Sequence, residues 1–237
     1  MKIYVITHKK YKKIKSVYPY YPLLVGSSNG NKGENFYLKD NKGNNISKKN
    51  KSYCELTGTY WIWKNNLENN NDIVGIVHYR RYFTKYKGIF KRFGILNSKD
   101  YSKILERFDM ILPMKNLGEF NGKKAKEFFI ENHDEEVWNI TKKIIFKEFN
   151  DYYDDFCWFE NQKSGYCYNM LVTKENIYSR YCSWIFPILN EIEKNINLDD
   201  YDDYNQRMIG FIAERLMNVW VHHNNFKVKE IPVYFQK

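Results

Sequence analysis

Ile73-Val74-Gly75-Ile76-Val77-His78-Tyr79-Arg80-Arg81-Tyr82-Phe83 is the stretch that decides the fold class. Five residues with no polar side chain run straight into an imidazole, two guanidiniums and three aromatic rings. An unbroken apolar run of this length, preceded by an Asn- and Asp-rich break over 65–72, reads as a strand covered on both faces, as in the sheet of an α/β protein. If the strand continues past Val77, its alternation puts His78, Arg80 and Tyr82 on one face and Tyr79, Arg81 and Phe83 on the other. On that reading the two arginines do not easily grip one phosphate together. Adjacent arginines behind a buried strand are costly unless each meets an anion or a carboxylate. Structural ion pairs would satisfy them, but their position at a strand end favours an anionic ligand.

The same pattern recurs on either side. Lys2 to Thr7 is a strand with apolar residues on both faces, and Pro22-Leu23-Leu24-Val25-Gly26 is a shorter one ending on glycine. A polar stretch from Ser27 to Lys51 holds almost no core material, which marks a functional or mobile loop. Ser52 and Glu55 have the spacing of a capping box. The helix it opens carries Leu56, Tyr60, Trp63 and Leu67 on one face. Beyond the central strand, Asp100 to Phe108 reads as a helix and Asp109 to Pro113 as a strand. Helices follow over 134–149, 174–196 and 202–222, with a strand over 166–173 and an alternating strand over 227–235. Strands alternate with helices in the first half, which argues for a mostly parallel sheet flanked by helices. The C-terminal half is more helical, and the 237 residues fit one domain.

Composition narrows the class. Apolar residues make up 43% of the chain, enough for a core, and no apolar run reaches the ~18 residues of a membrane span. The N-terminal apolar stretch is too short for a secretory signal, so a cytoplasmic location is expected. Cys54, Cys157, Cys167 and Cys182 match no zinc spacing and read as free thiols. The formal charge of +10 calls for an anionic partner. Two classes compete: an enzyme handling a nucleotide-activated sugar, and a nucleic-acid-binding module. The lysines are interleaved with acids rather than gathered in a stripe, which disfavours nucleic acid.

In open α/β sheets ligands bind beyond the carboxyl ends of the strands. Thr7-His8-Lys9 ends the first strand, Gly26 the second, and His78 with Arg80 and Arg81 the central one. Any one of these could be an ordinary solvated strand end, but three together make a candidate phosphate-binding edge. On the helix from Asp202, Arg207, Gly210 and Glu214 fall on one stripe. A surface salt-bridged face would read the same way. Asp200-Tyr201-Asp202 has the spelling of a divalent-metal motif but no apolar strand leads into it. It reads better as an acidic helix start, and no metal ligand is assigned.

Several blocks together resemble one bacterial family: Tyr53-Cys54-Glu55-Leu56-Thr57, Gly75 to Phe83, Asn169-Met170, and Arg207 with Gly210 to Leu216. The family is the glycosyltransferase family of capsule, exopolysaccharide and O-antigen loci, long described only as a domain of unknown function, with galactofuranosyltransferase members. The resemblance implies a GT-A-like fold in which residues 1–115 bind the donor nucleotide and 116–237 form the acceptor half. It implies transfer of a hexose, galactofuranose first, from a UDP-sugar with inversion. UDP-galactopyranose or another UDP-hexose remains open as donor. The implied acceptor is a lipid-linked glycan at the inner membrane face, where the protein would sit peripherally. Thr7, His8, Lys9, Gly26, Asn50, Arg80 and Arg81 are expected at the donor, and Glu55, Asn169 and Arg207 at the substrate. Glu214 is the expected base and His78 a second catalytic candidate, with no cofactor or metal required.

Overall fold

The computed structural model describes residues 1–12, 14, 18–68, 72–115 and 120–236. The break expected over 65–72 and the boundary at 115/116 fall partly outside these residues. The central sheet runs in the order β3-β2-β1-β4-β7-β6-β8. Its members are β1 (Lys2–Thr7), β2 (Tyr20–Leu24), β3 (Leu38–Lys39), β4 (Ile73–His78), β6 (Met110–Pro113), β7 (Leu171–Lys174) and β8 (Val228–Ile231), and a side branch joins β5 (Arg81–Phe83) and β9 (Val233–Phe235) to β4.

The sheet is parallel where the sequence alternates strand with helix. β1 pairs in parallel with both β2 and β4, and β2 with β3. Beyond β4 it turns mixed, because β7 inserts antiparallel to both β4 and β6. The expectation of a mostly parallel sheet therefore describes the N-terminal strands, and the whole is a mixed α/β sheet. The unbroken apolar runs do what their composition requires. Tyr4, Ile6, Val74 and Ile76 pack into one core, and Ile3, Val5 and Val77 into another on the opposite face.

Helices α1 (Asn50–Tyr53), α2 (Leu56–Asn65), α5 (Glu135–Glu148), α7 (Glu175–Lys194) and α8 (Met208–His223) contribute to the first core, together with α4 (Ala125–Asn132) and α6 (Tyr153–Glu160). The second core is covered by α3 (Ser98–Leu105) and by aromatic residues of β5. Gly58 allows α2 to lie close on the sheet: a Cβ there would stand 2.7 Å from Ile6 Cδ1 and 2.9 Å from Val25 Cγ1. The start of α2 is thereby held over the ends of β1 and β2.

Three local expectations give way. The strand from Ile73 does not continue through Arg80. It turns at Tyr79-Arg80 and returns as β5, with His78 paired to Arg81. The closing strand divides at Pro232, which lacks an N–H for the ladder: β8 pairs in parallel with β6, and β9 antiparallel with β5. The capping box does not form. Ser52 lies inside α1 with its hydroxyl on the Lys49 carbonyl, and the Glu55 side chain makes no capping bond to α2.

Candidate active site

A cavity of about 540 Å³ opens beyond the C-terminal ends of β1 and β4. Thr7 and His8 reach it from β1, His78 from β4, Tyr79, Arg80 and Arg81 from the hairpin turn, Asn50 and Glu55 from the α1–α2 region, and Arg207 from just ahead of α8. The turn is pinned on both sides: Tyr79 N donates to the Ile6 carbonyl at 3.0 Å, and Gln236 N to the Arg80 carbonyl at 2.8 Å. Because the strand folds back there, both arginines of the pair line the cavity. That corrects the expectation from simple alternation that they diverge. Arg81 also stacks over Tyr168, 4.6 Å to the ring centroid, which holds its guanidinium in place.

The electrostatics are lopsided. Arg80, Arg81, Arg207 and Lys51 line the space, and Glu55 is the one acid among the described lining residues. Burial lowers the pKa of His8, and Lys9, Arg80 and Arg207 push it further down. His78 is pushed down to about 4, first by burial and then by Arg81, against the pull of Glu55 and the nearby Asn169 backbone. Both rings are therefore neutral at neutral pH. Arg81 Nη1 lies 3.1 Å from His78 Nδ1. A guanidinium can only donate, so Nδ1 accepts and Nε2 carries the ring proton. Nε2 is buried with no hydrogen-bond partner among the described residues.

Glu55 owes its position to Cys54, whose φ of 50° breaks the chain between α1 and α2 and turns the next side chain inward. Asn169 Nδ2 donates to Glu55 Oε1 at 2.7 Å and to the Gly210 carbonyl at 3.1 Å, tying the carboxylate to α8. Arg207 Nε donates to Cys54 Sγ at 3.4 Å. Even so, burial and the Glu55 charge push the Cys54 thiol up to about 12, so it is no nucleophile at neutral pH.

The polar loop is organised from within. Asp40 is fully buried and accepts from Gly26 N, Ser27 N, Ser47 Oγ and Thr57 Oγ1, at 2.6–3.1 Å. Gly26 sits in the left-handed region at φ +65°, and a Cβ there would meet Asn50 Oδ1 at 2.4 Å and Asn31 Nδ2 at 2.5 Å. Gly26, expected at the donor, makes room for these two amides and does not itself line the cavity. Asn31, Lys51 and Cys54 line it too. Asn31 and Lys51 lie in the polar loop, where nothing in the sequence singles them out.

Lys9, Asn169 and Glu214 are not among the lining residues. Lys9 stands over the Tyr79 ring, 5.9 Å from its centroid. Glu214 Oε2 lies 3.4 Å from Nη1 of the buried Arg215. The expected stripe is interrupted, because Arg207 belongs to a 3-10 turn, Asn205–Arg207, that precedes α8. Asp200 and Asp202 are engaged in local turns with Asn197 and Asn205. Among the described residues no group of three or more His, Cys, Asp or Glu side chains is arranged to hold a metal ion. No described helix is long and apolar enough to cross a membrane.

A family profile described as Domain of unknown function (DUF4422) matches residues 2–225. No curated protein matches the chain. The fold is similar to that in the solved apo structure of the bifunctional glycosyltransferase WbbM, at 28% identity and a TM-score of 0.88. The match covers all of this chain and 45% of that one, so the chain spans less than half the length of the protein it resembles.

Proposed function

The chain belongs to the family described as Domain of unknown function (DUF4422), and we propose that it is a glycosyltransferase of polysaccharide synthesis. The reaction moves a hexose from a UDP-sugar, galactofuranose first and UDP-galactopyranose or another UDP-hexose as alternatives, to a lipid-linked glycan on the cytoplasmic face of the membrane. One observation carries this reading: among the described residues, three arginines and a single carboxylate converge in a cavity beyond the ends of β1 and β4. The likeness to WbbM supports the transferase class.

The mechanism is a single displacement with inversion. Glu55 accepts the proton of an acceptor hydroxyl. The hydroxyl oxygen bonds to the anomeric carbon as the bond from that carbon to the diphosphate oxygen breaks. The electron pair leaves with UDP, and its charge develops against Arg80, Arg81 and Arg207. Fixed guanidiniums here take the neutralising role that a divalent ion could otherwise fill. Thr7, His8 and Asn50 border the same space as hydrogen-bonding groups for the donor. Neutral His78 positions one of these cations, its Nδ1 accepting from Arg81 Nη1.

Glu55 takes the role of base from Glu214 on position. It lines the cavity, and Asn169 leaves its second oxygen available to the acceptor. The test is UDP release across a panel of UDP-hexoses, with and without undecaprenyl-linked glycan acceptors. One UDP-hexose should turn over well above the others. Failure of all of them, with no UDP binding by calorimetry, overturns the proposal.

A further inference from the structure

Between β5 and α3 the chain makes an excursion from Thr84 to Ile95, closed at its base by a bridge between those two residues. The Thr84 hydroxyl donates to the Lys91 carbonyl at 2.6 Å and Lys85 N to the Gly94 carbonyl at 2.8 Å. The 3-10 turn at its tip, Gly88–Phe93, is thereby held as one piece. Its apolar side chains point outward: Ile89 is 85% exposed, Phe93 65% and Phe90 59%. Single exposed apolar residues are ordinary, but three of this size in one turn cost free energy that an ordered chain would shed if nothing covered them.

The segment's own charges have one sign. Residues 84–94 contain Lys85, Lys87, Lys91 and Arg92 and no acid. Lys85 is paired with Asp100 at 2.8 Å, and Lys91 Nζ donates to the Val233 carbonyl at 3.0 Å. The Arg92 guanidinium lies 4.4 Å from the Phe93 ring centroid, so a cation rides on the edge of the apolar tip. An apolar tip whose own segment carries cations and no acid fits a surface that is apolar beneath and anionic on top.

We propose that the excursion at 84–95 docks the protein on a bilayer of anionic phospholipids, with Ile89, Phe90 and Phe93 entering the acyl boundary and Lys87 and Arg92 meeting lipid phosphates. Thr84, at the base of the excursion, follows Arg81 by three residues, ~10 Å along a strand, so the excursion springs from the strand that carries Arg81 into the candidate active site. The inference stands apart from the transfer chemistry, because lipid binding can be measured with no sugar donor or acceptor.

The test is sedimentation of the purified protein with vesicles of phosphatidylglycerol and phosphatidylethanolamine, and with vesicles of phosphatidylcholine alone. Partition onto the anionic vesicles should exceed that onto phosphatidylcholine by about tenfold at low salt and fall as salt rises. Ile89→Ser/Phe90→Ser/Phe93→Ser should lower it at least about tenfold, and Lys87→Glu/Arg92→Glu should lower it and blunt its salt dependence. All these side chains are exposed or on the rim, so circular dichroism and Tm should stay at wild-type values. Absence of vesicle binding, or a triple serine variant that binds like wild type, overturns the proposal. A dimer in sedimentation velocity that the triple variant dissolves, with vesicle binding unchanged, would assign the patch to a second copy of the chain instead.

Discussion

The carboxylate that matters at the residue scale is the one a capping box would have occupied. Ser52 and Glu55 have the spelling of such a box, and that spelling argues against a catalytic Glu55. Cys54 defeats it by adopting a positive φ that a non-glycine residue rarely takes and that no sequence rule marks. Glu55→Gln keeps shape and the Asn169 hydrogen bond but removes basicity. It should lower kcat by roughly 10²–10⁴-fold, with UDP affinity by calorimetry close to wild type. If Glu214→Gln gives that loss and Glu55→Gln does not, the base is Glu214. Arg80→Ala should weaken UDP binding by about tenfold or more, the worth of one charge-assisted contact. Unchanged affinity in a folded variant would remove Arg80 from the donor site. His78 supplies a pH signature. Its folded pKa, about 4, lies below the unfolded value near 6.5. The unfolded chain therefore binds the extra proton between these pH values, and stability falls as pH drops from about 6.5 to 4. Relative to wild type, His78→Gln should flatten that fall, by an amount on the order of 3 kcal/mol across the window. Parallel stability curves for the two proteins would show that His78 is not held neutral.

At the scale of elements, the strands were legible and the turns between them were not. Apolar runs such as Tyr4-Val5-Ile6 or Val74 to Val77 have no stable environment except a sheet covered on both sides, so composition alone locates them. The β4–β5 turn uses Tyr79 and Arg80, with no Gly, Pro, Asn or Asp to announce it, and only tertiary pairing with β9 and β1 holds it. The polar stretch 27–51 looks empty because its organiser is a single carboxylate. Four donors meet on Asp40, and none of them belongs to a hydrophobic pattern. Asp40→Ala leaves those donors in a buried site without their acceptor and should cost on the order of 3 kcal/mol or more. For a chain of this size that is a drop in Tm of about 6–12 °C, read by differential scanning calorimetry. The same variant should weaken UDP binding, since Gly26 and Asn50 lean on the same network. A Tm within about 2 °C of wild type would mean that the loop is held by something else.

For the molecule as a whole, charge says less than position. The net charge of +10 signalled an anionic partner but could not separate nucleic acid, phosphorylated donor and membrane. Among the described residues the fold gathers three arginines into one cavity and leaves Lys87 and Arg92 beside an apolar tip, and the two proposals above rest on those two placements. Turnover that persists in excess EDTA is expected if those arginines suffice for the diphosphate. Activity lost in EDTA and restored by manganese would show that a divalent ion is required. The pairing of β5 with β9 has a further consequence. It joins Arg81 to Phe235 and, through the same hairpin, fixes the His78–Arg81 contact. A ladder between segments so far apart in the chain has high contact order and must wait for a large loop to close. On dilution from denaturant, secondary structure should therefore return before the ability to bind UDP, and the arginine pair should be among the last parts of the molecule to reach working order.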